Sequence, residues 1–251
     1  MSRRPITAAL AVGALLACAP SASAADLLLD RECYLASQPG LPRGQAVGFT
    51  GTGFTPGAGV TVAVNGRVLA GTVTAGPAGT IKASTGAPAV PPRRFFATAS
   101  LAASDGANGA IKPFRITRLA ADFLPSAGNP RTLQVRFYVY GFGPLLVAMG
   151  KSPRQRVYEH IISPTGRVLA NFPVGFTGGP CGSLATSRRR ILPFRSVVNG
   201  RYRFVFDTRA AYSSRSIPQS SVSFIVRTIF VRRLAAGAFS ASAASLFGEK
   251  G

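Results

Sequence analysis

Side chains able to do covalent or acid–base chemistry are scarce in this chain of 251 residues. There is one histidine, His160, three cysteines, Cys18, Cys33 and Cys181, and only 8 Asp and Glu together. The sharpest catalytic pairing is Cys181 with His160. Cys181 stands in Thr177-Gly178-Gly179-Pro180-Cys181-Gly182-Ser183. A cysteine in such a loop becomes a nucleophile when an imidazole lowers its pKa and glycine amides face the developing oxyanion. The plainer alternative makes Cys181 a half-cystine and His160 a strand residue bonded to backbone or to a neighbouring carboxylate. Other chemistries fall away on residue supply. A serine hydrolase would need the same His160, and no Gly-x-Ser-x-Gly elbow occurs. One histidine and two distant cysteines do not make a tetrahedral zinc site. Gly48-x-x-Gly51-x-Gly53 runs into Pro56-Gly57 and a second strand, where a dinucleotide loop must open a helix. The expectation is a non-enzymatic chain with no cofactor and no metal.

The abundant functional group is the guanidinium. Lys and Arg number 29, giving a formal net charge of +21. The excess is uneven: residues 25–120 hold 9 basic and 4 acidic side chains, residues 121–236 hold 17 and 3. Three clusters stand out, Lys151/Arg154/Arg156, Arg188-Arg189-Arg190 and Arg232-Arg233. Guanidinium forks suit bidentate phosphate or carboxylate contacts. The expected partner is an anionic cell-wall polymer, a polysaccharide or a membrane surface, held through counterion release. The compositional alternative is that Arg abundance accompanies Ala, Gly and Pro and only solubilises. A specific nucleic-acid partner is not expected. Arg201-Tyr202-Arg203-Phe204-Val205-Phe206 interleaves basic and aromatic residues, but on a strand the three aromatics share one face and fill a core.

Export follows from the first residues. Met1-Ser2-Arg3-Arg4-Pro5 is a basic head, Ile6 to Ala19 an apolar run and Ala22-Ser23-Ala24 a small-x-small cleavage site. The run is shorter than the roughly 20 residues of a transmembrane helix, so residues 1–24 are expected to be a secretory signal. Leu15-Leu16-Ala17-Cys18 gives a second outcome, lipidation at Cys18. Otherwise Cys33 and Cys181 remain, an even number in an oxidising compartment, expected as one disulfide.

The rest of the chain alternates short apolar runs with turn residues. Strands are expected over 46–50, 60–64, 67–69, 72–74, 80–83, 94–99 and 111–116, with a hairpin at Asn65-Gly66, where both turn residues need positive φ. A second series covers 133–139, 157–162, 167–172, 201–206 and 222–231, with turns at Pro164-Thr165-Gly166 and Asn199-Gly200. No helical periodicity stands out. The expectation is an all-β chain of two tandem immunoglobulin-like β-sandwich domains, 25–120 and 121–236, with an Ala/Ser-rich tail over 237–251.

Gly48-Phe49-Thr50-Gly51-Thr52-Gly53-Phe54-Thr55-Pro56-Gly57, followed by Val60-Thr61-Val62 and Asn65-Gly66, resembles bacterial secreted immunoglobulin-like modules of the IPT/TIG kind. The likeness covers roughly residues 33 to 118. The later half is similar to regions accompanying such modules in secreted actinobacterial proteins, at Val157-Tyr158-Glu159-His160, Gly179-Pro180-Cys181-Gly182 and Gly200 to Asp207. These resemblances imply a β-sandwich fold and an extracellular setting, and no reaction. The Cys181 loop is also similar to that of secreted L,D-transpeptidases. It lacks their second His, their Ser in place and the following Arg.

Overall fold

The computed structural model describes residues 25–227. The expected signal segment over 1–24 with Cys18, Arg232 and Arg233, and the expected tail over 237–251 lie outside the described residues. In chain order the first strands are β1 (Asp26–Leu29), β2 (Cys33–Leu35), β3 (Ala46–Thr52), β4 (Gly59–Val64) and β5 (Arg67–Thr74). Next come β6 (Ile81–Gly86), β7 (Phe96–Ser104), β8 (Gly109–Thr117), β9 (Ala120–Leu124) and β10 (Gln134–Tyr140). After a short helix α1 (Phe142–Ala148) follow β11 (Arg156–Ile162), β12 (Val168–Phe176), β13 (Leu184–Ala185), β14 (Arg189–Arg190), β15 (Gly200–Asp207) and β16 (Gln219–Val226). The chain is all-β, as the alternation predicts.

Two units divide these residues, each discontinuous in sequence. The first takes 25–30, 47–85 and 99–114; the second takes 31–46, 86–98 and 115–227. A single break after residue 120 is what the linear punctuation suggests. Residues 31–46, 86–98 and 115–120 instead group with the later part of the chain.

In the first unit, β1, β3 and β6 form one sheet, and β8, β7, β4 and β5 follow one another in a second. Alternation sets the core: Val47 and Phe49 on β3 and Val60 and Val62 on β4 are buried, while their neighbours are less so. Gly51 lies opposite Leu27, and a Cβ there would press on the side chains of Phe54, Ile81 and Leu27. Asn65 and Gly66 both have positive φ, 51° and 77°, between the paired Val64 and Arg67. The Asn-Gly hairpin forms as its backbone preference requires.

In the second unit, β10 pairs with β9 on one edge and with β13 and β14 on the other. A second sheet runs β12-β11-β15-β16. Val135, Phe137 and Val139 of β10 join Val157 and Ile161 of β11 and Tyr202, Phe204 and Phe206 of β15 in one core. Arg201 and Arg203 point to the other face and are exposed. Phe123 packs edge-on against Phe137, Phe204 and Phe224 at 5.8, 6.2 and 6.0 Å. β2 lies parallel to the end of β8, Cys33 opposite Arg115.

Two expectations need correction. The helix α1 was not anticipated, because seven residues make two turns, too few for a 3.6-residue period to show. Asn199-Gly200 does not form a hairpin: Gly200 opens β15, whose antiparallel partners are β11 and β16.

Candidate functional site

The charge is partitioned more sharply than the linear halves suggest. Among the described residues the first unit carries Asp26, Asp30 and Asp105 against Arg67, Lys82 and Lys112, a formal balance. The second unit carries every other described Lys and Arg. Its carboxylates are Glu32, Asp122, Glu159 and Asp207, and two of these are withdrawn from the surface.

Glu159 and His160 are neighbours on β11, so they face opposite ways. Glu159 shares the core face with Val157 and Ile161 and is fully buried. Its Oε2 accepts from the Arg189 guanidinium, and Oε1 has no hydrogen-bond partner among the described residues. Arg189 lies over two rings on its way in, its Cζ 5.1 Å from the centroid of Phe172 and 6.0 Å from that of Phe137. His160, on the opposite face, is also buried. Nε2 stands 3.0 Å from Asp207 Oδ1 and Nδ1 stands 2.6 Å from Asn171 Oδ1. Both ring nitrogens therefore meet acceptors, an arrangement suited to imidazolium. Asp207 Oδ1 also accepts the Arg209 N–H at 2.7 Å.

These environments shift the three groups in ways that can be tested. Burial pushes the Glu159 carboxyl up to about 7, although Arg189 pulls against it. Burial pulls His160 down, but its hydrogen bonds to Asp207 and Asn171 outweigh this and leave it raised. Burial pushes Asp207 up, and the His160 bond and the Arg209 N–H outweigh it and leave it lowered. Folded Glu159 holds its proton between its unfolded 4.5 and about 7, so stability falls as pH rises through that window. The raised His160 acts in the same direction: its contribution is complete below 6.5 and is lost as pH passes its folded value. Asp207 contributes above 3.8 and loses this only in acid. The unfolding midpoint is thus expected to decline from pH 5 to 8.5, and Glu159→Gln to flatten the part below pH 7. A thermal-melt series across that range checks both.

With these carboxylates withdrawn, the basic side chains dominate the surface of the second unit. Arg154 and Arg156 come together over exposed Phe176, their Cζ atoms 5.7 and 5.1 Å from the ring centroid. Lys151 is exposed just after α1. The Arg188-Arg189-Arg190 triplet is divided by β14: Arg188 and Arg190 are exposed, and Arg189 turns inward to Glu159. Arg189 is therefore engaged in the interior, a correction to the expectation that all three form a contact surface. Arg188 shares a groove of about 550 Å³ with Leu124, Pro125, Arg136 and Tyr138.

The arrangement of Cys181 follows the plainer expectation. It is bonded to Cys33, with the Cα atoms 5.3 Å apart, and a half-cystine carries no thiolate. The glycines around it serve packing. A side chain on Gly143 would strike the Pro180 carbonyl, and one on Gly182 would strike the backbone of Gly143. Phe142 and Gly143, at the start of α1, donate N–H groups to the carbonyls of Gly182 and Cys181, each at 3.3 Å. Among the described residues no group of three or more His, Cys, Asp or Glu is arranged to hold a metal ion. No helix among them is long and apolar enough to cross a membrane.

Arg136 was missed as a site residue. Its signal was visible, because Arg136 and Tyr138 share one face of a strand whose other face is Val135, Phe137 and Val139.

No family model matches the sequence, and no curated protein matches it. Among solved structures, the chain is similar to a tetra-tandem repeat from the extending region of a large adhesion protein. That alignment has 15% identity, covers 81% of this chain and 49% of that one, and has a TM-score of 0.26. A protein named for membrane anchoring, from Corynebacterium diphtheriae, aligns with 10% identity over 82% of this chain and 57% of its own, at a TM-score of 0.33. Dimeric latent PorU from Porphyromonas gingivalis aligns with 19% identity over 72% of this chain and 18% of its own, at 0.28. The chain spans about half the length of the first of these. At such scores the likenesses carry nothing about function.

Proposed function

We propose that this is an extracellular, non-enzymatic binding protein that holds to anionic polymers of the cell envelope through the basic surface of its second unit. One observation carries the reading. Of the four described carboxylates in that unit, Glu159 and Asp207 are fully buried with cationic or imidazole partners. Exposed arginines such as Arg136, Arg188 and Arg190 are left facing solvent with few opposing charges. Closely spaced guanidiniums gather counterions and release them to a polyanion. A Cys33–Cys181 bridge suits an oxidising compartment, in keeping with an exported chain.

The test is retention of the full chain on isolated bacterial cell walls at low ionic strength. Replacing Arg136, Arg188 and Arg190 together with Gln is expected to lower retention about tenfold. Equal retention of variant and parent would overturn the reading, provided that the variant melts at the parent temperature.

A further inference from the structure

A second groove of the same unit, of about 450 Å³, is lined by Arg94, Phe96, Thr98, Arg115, Tyr140 and Ser183, with the half-cystine Cys181 in its wall. Its volume lies in the usual range of small-ligand sites, about 300–1,000 Å³. None of the three basic clusters expected from the sequence contributes to it.

Two aromatic rings, Phe96 and Tyr140, line it, and Tyr140 is held by rings that lie outside the lining. Phe95 stacks face to face on Tyr140, with centroids 4.6 Å apart and planes 4° from parallel. Tyr138, two residues along β10, lies nearly parallel to Tyr140 at 6.5 Å. Phe96 stands 6.5 Å from Tyr140 at 37° and is 63% exposed. Its open ring and the half-buried Tyr140 give the groove an apolar face. Burial first, then the Asp122 charge, raises the Tyr140 phenol above its ordinary value. It remains a neutral hydroxyl at physiological pH.

The polar part is cationic and uncommitted. Arg94 and Arg115 are both exposed. Neither takes part in the Arg189–Glu159 or His160–Asp207 pair. The hydroxyls of Thr98 and Ser183 complete the lining. A polyphosphate would use the guanidiniums and find no use for the rings. A neutral sugar would use the rings and leave two cations without a counter-charge. A ring with an apolar C–H face, hydroxyls on its edge and one carboxylate uses every part.

We propose that this groove binds a uronic acid unit of an extracellular polysaccharide, its C–H face on Phe96 and its carboxylate against Arg94 and Arg115. The proposal rests on the polyanion reading and names the ligand class within it. Tyr138, 6.5 Å from Tyr140, lines the separate groove of Arg136 and Arg188.

The experiment is calorimetric titration of the full chain with four ligands: a tetragalacturonate, its carboxyl-reduced counterpart, inorganic polyphosphate and a short single-stranded oligodeoxynucleotide. Phe96→Ala and Arg94→Gln are each expected to weaken tetragalacturonate binding at least tenfold. Phe96→Ala should leave polyphosphate binding unchanged, and the carboxyl-reduced sugar should bind at least tenfold more weakly than the uronate. Because Phe96 and Arg94 are exposed, unchanged melting temperatures are the accompanying check on fold. The proposal is overturned if Phe96→Ala leaves uronate affinity intact, or if the reduced sugar binds equally well. It is also overturned if the oligodeoxynucleotide shows the larger loss, since bases stack on aromatic rings too. Polyphosphate binding without uronate binding removes this groove's role and leaves the polyanion reading standing. Binding of neither removes both.

Discussion

Replacing Cys33 and Cys181 together with serine is expected to lower the unfolding midpoint of the second unit by about 10–15 °C. The bridge joins residues 148 apart in sequence, and both lie in the same unit. Cross-linking a loop of that length removes chain entropy from the unfolded state, a stabilisation of about 5 kcal/mol as an upper figure. For a unit of this size each kcal/mol moves the midpoint by about 2–4 °C. Cys33 is itself buried on β2, next to Tyr34 and Leu35, so serine also places a hydroxyl in the core. Melting with and without reductant separates the two contributions: the parent should lose most of the difference when reduced. A midpoint indifferent to both reductant and substitution would mean that the bridge contributes nothing.

Arg189→Ala is expected to be nearly as damaging, and to be so in a pH-dependent way. The substitution leaves a fully buried Glu159 without its cation. Removing one partner of a buried pair costs about 3–5 kcal/mol. At pH 6 the carboxyl escapes part of this by taking a proton, since burial already holds it near 7. The loss should therefore be larger at pH 8 than at pH 6. Arg189→Met combined with Glu159→Leu should recover much of it, because two apolar side chains between Phe137 and Phe172 replace the pair without an unpaired charge. A loss of equal size at both pH values, or no recovery in the double variant, would contradict the burial account.

The strands were legible because their punctuation is local. Asn65-Gly66 specifies its turn by backbone preference alone, and the alternation of β10 separates Val135, Phe137 and Val139 from Arg136 and Tyr138 without any knowledge of the partner strand. The same alternation placed Tyr202, Phe204 and Phe206 in a core. Arg189 was not legible. A two-residue strand acquires faces only once β10 lies beside it, and nothing in Arg188-Arg189-Arg190 singles out the middle residue. The grouping of residues 31–46 and 86–98 with the later chain is equally non-local. So is the stack of Phe95 on Tyr140, 45 positions downstream. The Cys33–Cys181 bridge was legible by count, since setting Cys18 aside in the expected signal segment leaves two cysteines and one pairing.

The central claim, that the second unit's surface binds polyanions by charge, is tested most directly by the salt dependence of binding. The measurement is the affinity of the full chain for a defined poly(glycerol phosphate) across 25–300 mM salt. Three phosphate contacts through Arg136, Arg188 and Arg190 predict a slope of log K against log salt of about −2, taking ~0.7 per contact on a single-stranded polyanion. The triple Gln variant should bind more weakly and with a distinctly shallower slope, the remainder coming from cations such as Arg154 and Arg156. Affinity that does not fall with salt, or a slope left unchanged by the triple substitution, would contradict the account.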